Sequence, residues 1–171
     1  LMFLDNDDWA EPQYVPFLVS KIEADQMDIV CCTGWDWYQD SGEKVLLTHG
    51  KNRRFDDHEA VRDILSAHAF TTEAMMKKIY RSSLFRDLRC VQGRHYQDTY
   101  IFLRLMPSCR HMEYFDVPEY NYLVHSGSIT HSGYQSYTVQ QVLSYTDNYD
   151  LVKKWYPESL RLLEHNIVSV S

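Results

Sequence analysis

"LMFLDNDDW" (residues 1–9) sets an unbroken apolar run directly against three acids, Asp5, Asp7 and Asp8, and a tryptophan. A continuous apolar run that ends in acids fits a central strand of a parallel sheet, so residues 1–5 are expected to form a short buried strand of an α/β fold. Ligands of open α/β sheets sit outside the carboxyl ends of the strands, which puts the acids where a ligand belongs. Side chains at i and i+2 of an extended segment share a face. Asp5 and Asp7 are therefore expected to converge, and two convergent carboxylates suit a hard cation such as Mg²⁺ or Mn²⁺. The competing reading makes the acids caps of a helix starting near Pro12, a task Asp8 could fill alone. It leaves Asp5 at the end of an apolar strand, where a lone charge is costly to bury. A calcium loop starting at Asp5 fails, because Trp9 and Ala10 stand where an acid or amide and a glycine are required.

Further along, Tyr14, Val15, Phe17, Leu18 and Ile22 keep a helical period. "DIVCCTGWDWYQD" (residues 28–40) reads as a strand, and "KVLLTH" (44–49) pairs back on it as a hairpin across Ser41–Glu43. "DDHEAVRDILSAH" (56–68) opens with acids that favour a helix N-terminus, and Ala60, Val61, Ile64 and Leu65 share one face. "AMMKKIYRSSLFRDL" (74–88) reads as a short helix running into an extended piece. "YQDTYIFLRLM" (96–106) is a helix ending before Pro107, and "MEYFDVPEYNYLVH" (112–125) is a pair of strands broken at Pro118. The last forty residues carry two helical patterns separated near Pro157. Their apolar positions Val139, Val142, Leu143, Leu160, Leu162 and Leu163 suit a tail packed on the body.

The chain has 171 residues, 44% of them hydrophobic, enough for one compact domain with a core. A net charge of −7 argues against nucleic-acid binding and against a polybasic membrane anchor. Cys31, Cys32, Cys90 and Cys109 form no CxxC pair and are read as reduced thiols. No apolar run reaches the about 18 residues of a membrane span, and no signal peptide is expected ahead of the domain.

Four segments in order resemble the family-2, GT-A-fold bacterial glycosyltransferases. "FLDNDDW" is similar to their Asp-x-Asp segment, and "AMMKKIYRSSLF" to their Asn-Lys-Leu-Tyr-Arg stretch. "GRHYQDTYIF" is similar to Gly-x-x-Tyr-Glu-Asp, and "VPEYNYLVHSGSIT" to Pro-x-Tyr-x-Tyr leading into Gly-Ser-Ile. The resemblance implies a partial GT-A mixed sheet with flanking helices. Residues 1–131 would be the acceptor-side part, beginning at the Asp-x-Asp motif, and 132–171 a helical tail. The family's first half would precede Leu1, so the chain is expected to be a fragment that self-associates. By resemblance Asp7 is the metal ligand, Asp5 helps hold the metal or contacts the nucleotide with Asn6, and Asp98 is the catalytic base. The cofactor would be Mn²⁺ or Mg²⁺. The donor would be a nucleotide-diphospho-sugar, and the partner a glycan or lipid-linked acceptor. The place would be the cytoplasm, with peripheral contact at the inner face of the membrane. Gln97 stands where the family has Glu, Met76 and Lys77 where it has an aromatic and Asn, and Leu123 and His125 lie in a stretch that is often Arg-rich.

Other candidates carry two readings each. Asp98 could be an N-cap, His95 could touch a phosphate or lie exposed, and His131 could reach the acceptor or a metal. Trp35 and Trp37 could stack on a sugar but are read as core. Asp56, Asp57 and His58 are metal-ligand types read as helix caps. Lys77, Lys78 and Arg81 could steer a diphosphate or form a solvated basic helix end. Two other functions remain open at this point. One is a haloacid-dehalogenase-type phosphatase using Asp5 and Asp7, a weaker fit because Trp9 replaces a small residue. The other is a non-catalytic partner-binding domain.

Overall fold

A computed structural model describes residues 1–67, 69–94, 96–126 and 134–170, with side chains of the last segment from Thr138. Its centre is a parallel pair of long strands, β2 (Ile29–Tyr38) and β6 (Met112–Val124). The outer side of β6 carries β1 (Trp9–Ala10) and β4 (Arg53–Phe55), both antiparallel; the outer side of β2 carries β3 (Glu43–Leu47) and β5 (Lys78–Tyr80), also antiparallel. The result is the mixed sheet with flanking helices expected of the chain, and the β2–β3 hairpin forms as read.

Alternation along β2 sorts the core into two clusters. Val30 and Cys32 face α1 (Tyr14–Ala24), which buries Tyr14, Leu18 and Ile22 at four-residue spacing. Ile29 and Cys31 face the other way, onto α2 (Asp57–Leu65), α3 (Gln97–Leu105) and the C-terminal helices. Each fully buried side chain of Leu18's size contributes about 1.5–3 kcal/mol. Helix α2 starts with a complete capping box between Asp56 and Glu59 and buries the four expected apolar residues, so Asp56 is a cap.

Five local readings are corrected. Residues 1–5 are not a buried central strand: Met2 makes one antiparallel bridge to Ile79, and Leu1 and Leu4 are 52% and 57% exposed. The helix read from Pro12 begins at Tyr14, because Pro12 and Gln13 sit in a turn closed by the Tyr14 N–H on the Glu11 carbonyl at 3.0 Å. Residues 74–88 run in the reverse order, β5 first and then a 3₁₀ helix at Ser82–Phe85, because Lys77 at φ +62° breaks any helix before it. Pro118 does not split the strand at 112–125. One strand of 13 residues absorbs it through register shifts opposite Cys32–Gly34. The tail holds α4 (Tyr134–Thr146), α5 (Tyr149–Trp155), a 3₁₀ turn and α6 (Leu160–Val170). Its anchors are Tyr145, Val152, Tyr156 and Leu163, whereas Val139 is 56% exposed.

Candidate active site

The acidic stretch is a turn, not a strand end: the Asp8 N–H reaches the Asp5 carbonyl at 3.3 Å. The shared face argued for Asp5 and Asp7 therefore does not arise, and the three carboxylates go to different places. Asp8 turns inward, where its oxygens accept from the Tyr120 hydroxyl at 2.7 Å and the Leu123 N–H at 2.9 Å. It ties the turn to β6 and caps no helix, so the competing cap reading does not hold for it. Asp7 is exposed and pairs with the His125 Nε2 at 3.0 Å. Asp5 lines a cavity of about 300 Å³. Burial raises its pKa, and the charges of Asp8 and Asp7 raise it further. Asn6 lies exposed in the turn. Among the described residues no three His, Cys, Asp or Glu side chains converge on one point.

Asp98 shares that cavity with Asp5 and also lines a second one of about 480 Å³ on its other side. It stands in the first turn of α3, but the cap position belongs to Tyr96, so Asp98 is not an N-cap. Its carboxyl lies above the usual aspartate range. Burial pushes it up, Lys78 and the Met75 N–H pull it down, and Asp5 and Glu73 push it up again. Gln97, beside it, holds the preceding loop, accepting from the Val91 N–H at 2.6 Å and donating to the Arg94 carbonyl at 2.8 Å. This amide does what a carboxylate could only half do, since a carboxylate has no donor.

The basic cluster is not a solvated helix end. Lys78 is 1% exposed, and its ammonium donates to the carbonyls of Thr72 and Ala74 at 2.7 and 2.5 Å. Arg81 donates to the carbonyls of Met27 and Ile22. Lys77 stands 3.9 Å from Asp36 across the larger cavity, its pKa lowered chiefly by burial. Burial raises the Asp36 carboxyl, against the pull of Lys77. Trp35 and Trp37 are half-buried rather than core. Lys44 lies over both rings, and Trp37 donates to Asn121 at 2.8 Å. His58 bonds Glu158 at 2.7 Å and joins α2 to the tail. His95 and His131 lie outside the described residues. Sequence reasoning passed over His125 as a metal-side residue, and passed over Glu73. The only signal for His125 was a ring nitrogen in a stretch already suspected of contacting the donor.

The site is a sheet built on two parallel strands, with acids and a half-buried aspartate around two adjoining cavities. The chain belongs to Glycosyl transferase family 2, whose family model matches residues 1–87. It is similar to the glycosyltransferase GlyA of Streptococcus pneumoniae serotype 4 (strain ATCC BAA-334 / TIGR4), 24% identical over 75% of this chain and 19% of that protein. A second relative is EpsH of Bacillus subtilis (strain 168), named as a glycosyltransferase, 26% identical over 75% of this chain and 38% of that protein. The chain thus spans well under half of either relative. Among solved structures, S. aureus TarS 1–349 in complex with UDP-GlcNAc shares the fold at a TM-score of 0.62, with 14% identity over 85% of this chain and 41% of that one. TarS 1–349 in complex with UDP gives 0.57, covering 39% of that chain. Family membership sets aside the haloacid-dehalogenase-type phosphatase reading. Among the described residues no helix is long and apolar enough to cross a membrane.

Proposed function

We propose that residues 1–131 are the acceptor-side portion of a family-2 GT-A catalytic domain and that 132–171 are a helical tail packed on it. The enzyme transfers a sugar, with inversion, from a nucleotide-diphospho-sugar to a glycan or lipid-linked acceptor. It serves capsule, lipopolysaccharide or exopolysaccharide synthesis at the cytoplasmic face of the membrane. The UDP-sugar held by TarS supports a donor of that class. The observation that carries the reading is Asp98, half-buried between two cavities with its pKa raised by burial. A carboxylate made more basic takes a proton better, and an acceptor hydroxyl must lose one as it attacks. Single displacement by that hydroxyl inverts the anomeric centre.

Asp7 would hold Mn²⁺ or Mg²⁺, with Asp5 supporting it by its nearby charge rather than from a shared face. The residues fit such an ion: Asp7 is exposed, and His125 adds a nitrogen donor 3.0 Å away that suits a transition ion better than Mg²⁺. Two protein donors suffice where phosphate oxygens complete the shell. Bound there, the ion would offset the charge that builds on the departing diphosphate. Asp5 and Asn6 would contact the nucleotide sugar.

In the complete enzyme, Asp98→Asn should keep donor binding by calorimetry and lose about 10²- to 10⁴-fold in turnover. Asp7→Ala or EDTA should abolish transfer. Full activity in Asp98→Asn, or in EDTA, would remove the corresponding role.

A further inference from the structure

We infer that the tail helix α4 is part of the catalytic apparatus. Ser144 and Gln141 hold Tyr96, and Tyr96 with Glu73 fixes the turn of α3 that carries Asp98. The inference rests on Asp98 being the base proposed above.

The argument starts from the backbone. Tyr96 has φ +54°, the left-handed region, which a residue with a Cβ keeps only where its surroundings over-determine it. Helix α4 supplies much of that constraint. The Ser144 hydroxyl donates to the Tyr96 carbonyl at 2.5 Å, and the Gln141 amide donates to the Tyr96 hydroxyl at 2.8 Å. The Tyr96 hydroxyl in turn donates to a Glu73 oxygen at 3.0 Å, and the Thr99 hydroxyl reaches the same oxygen at 3.3 Å. Glu73 thus grips the chain two residues before Asp98 and one residue after it. Ser144 and Thr99 are buried, which shields their own two bonds from bulk water.

Both ends of the clasp are themselves anchored. Lys78 fixes the Glu73 loop through the carbonyls of Thr72 and Ala74. The far end of α4 is held at Asp147, whose carboxylate pairs with Arg94 and whose carbonyl accepts from Arg104 at 2.8 Å. Asn148 closes on the Ser144 carbonyl at 2.8 Å. A helix that merely covered the core would present apolar side chains here. Instead, two polar side chains one helical turn apart address the carbonyl and the hydroxyl of one strained residue. Ser144, Gln141, Tyr96 and Glu73 are positioning residues acting through α3 on Asp98.

The test uses this chain, labelled with ¹³C at aspartate carboxyls, and reads no turnover. The groups facing Asp98 are Lys78, the Met75 N–H, Asp5 and Glu73, and none of them is itself substituted in the variants. Ser144→Ala and Tyr96→Phe should speed amide exchange at Asp98–Tyr100 about tenfold and lower the Asp98 titration midpoint toward the ordinary ~3.9, because a loosened carboxylate is better hydrated. Ser144→Thr, which keeps the hydroxyl, should restore both. Leu162→Ala loosens α6 without touching Tyr96 and should change neither. Wild-type exchange and midpoint in Ser144→Ala and Tyr96→Phe, or an equal response in Leu162→Ala, would overturn the clasp. Normal turnover of Asp98→Asn would instead remove the base and leave these readouts standing.

Discussion

Gly34→Ala is the sharpest test of the central strand pair. A Cβ built on Gly34 would lie 2.4 Å from the Tyr120 carbonyl oxygen and 3.1 Å from its carbon. Carbon–oxygen contacts between neighbouring strands settle at about 3.3–3.6 Å. The methyl therefore has to push β2 and β6 apart by about 0.9 Å, and the obstacle is backbone, which cannot swing aside. Overpacking of this kind costs about 1–3 kcal/mol. The alanine also restricts the unfolded chain, returning about 0.4–1 kcal/mol. The residual is a destabilisation of about 1–2 kcal/mol, and at this chain length each kcal/mol lowers Tm by about 2–4 °C. The strain falls in the ladder two pairs before Asp36 and Tyr122, both on the larger cavity. Urea unfolding with a shared m-value is the assay. A Gly34→Ala protein as stable as the parent would mean that β2 and β6 do not meet in this register.

Two further outcomes follow from buried and paired charges. Lys78→Met removes the donor of the Thr72 and Ala74 carbonyls and should destabilise by about 1–3 kcal/mol in urea melts. Because Lys78 pulls the Asp98 pKa down, the same change should move the acidic limb of the pH–rate profile to higher pH, and a limb moving lower would contradict the arrangement. The hydrogen bond to Glu158 raises the His58 pKa, and the bond to His58 lowers that of Glu158. The pair's contribution is therefore lost as pH rises through the histidine's raised pKa and lost again as pH falls through the glutamate's lowered one. Both groups are largely exposed, so the effect is about 0.2–1 kcal/mol and screened by salt. Thermal melts of Glu158→Gln against the parent at pH 6 and pH 9 should differ only at the lower pH.

Helices whose apolar residues repeat at three and four were legible from the sequence. Leu18 with Ile22 and Val61 with Ile64 read as buried faces and are buried, because amphipathic periodicity records a decision the sheet does not have to supply. Leu1–Asp5 misled for the opposite reason. An apolar run carries no period, and this one makes only an edge bridge with two leucines left exposed. Residues 74–88 misled because alanine, methionine and lysine favour helix locally. The β-ladder to β2 and the buried Lys78 override that preference, and lysine is among the residues least expected inside.

At the site, residue types were legible and partnerships were not. The sequence shows three acids in four positions but not which one turns inward. That depends on Tyr120 and Leu123, more than a hundred residues away, whose hydroxyl and N–H need an acceptor and find Asp8. Once Asp8 is spent on β6, Asp7 is left in the open for His125 and Asp5 for the cavity of Asp98. The same holds on the opposite wall. Asp98 could be picked out by resemblance. Its supports, Glu73, Gln141 and Ser144, reach Tyr96 from 23, 45 and 48 residues away, and no local pattern marks a polar residue whose partner lies that far off. The bond from the buried Ser144 of α4 to Tyr96 is therefore visible only in the folded chain. Ser144 and Asp98 both lie beyond residues 1–87, the span of the family match, so the contacts between α4 and the start of α3 have to be read from the fold.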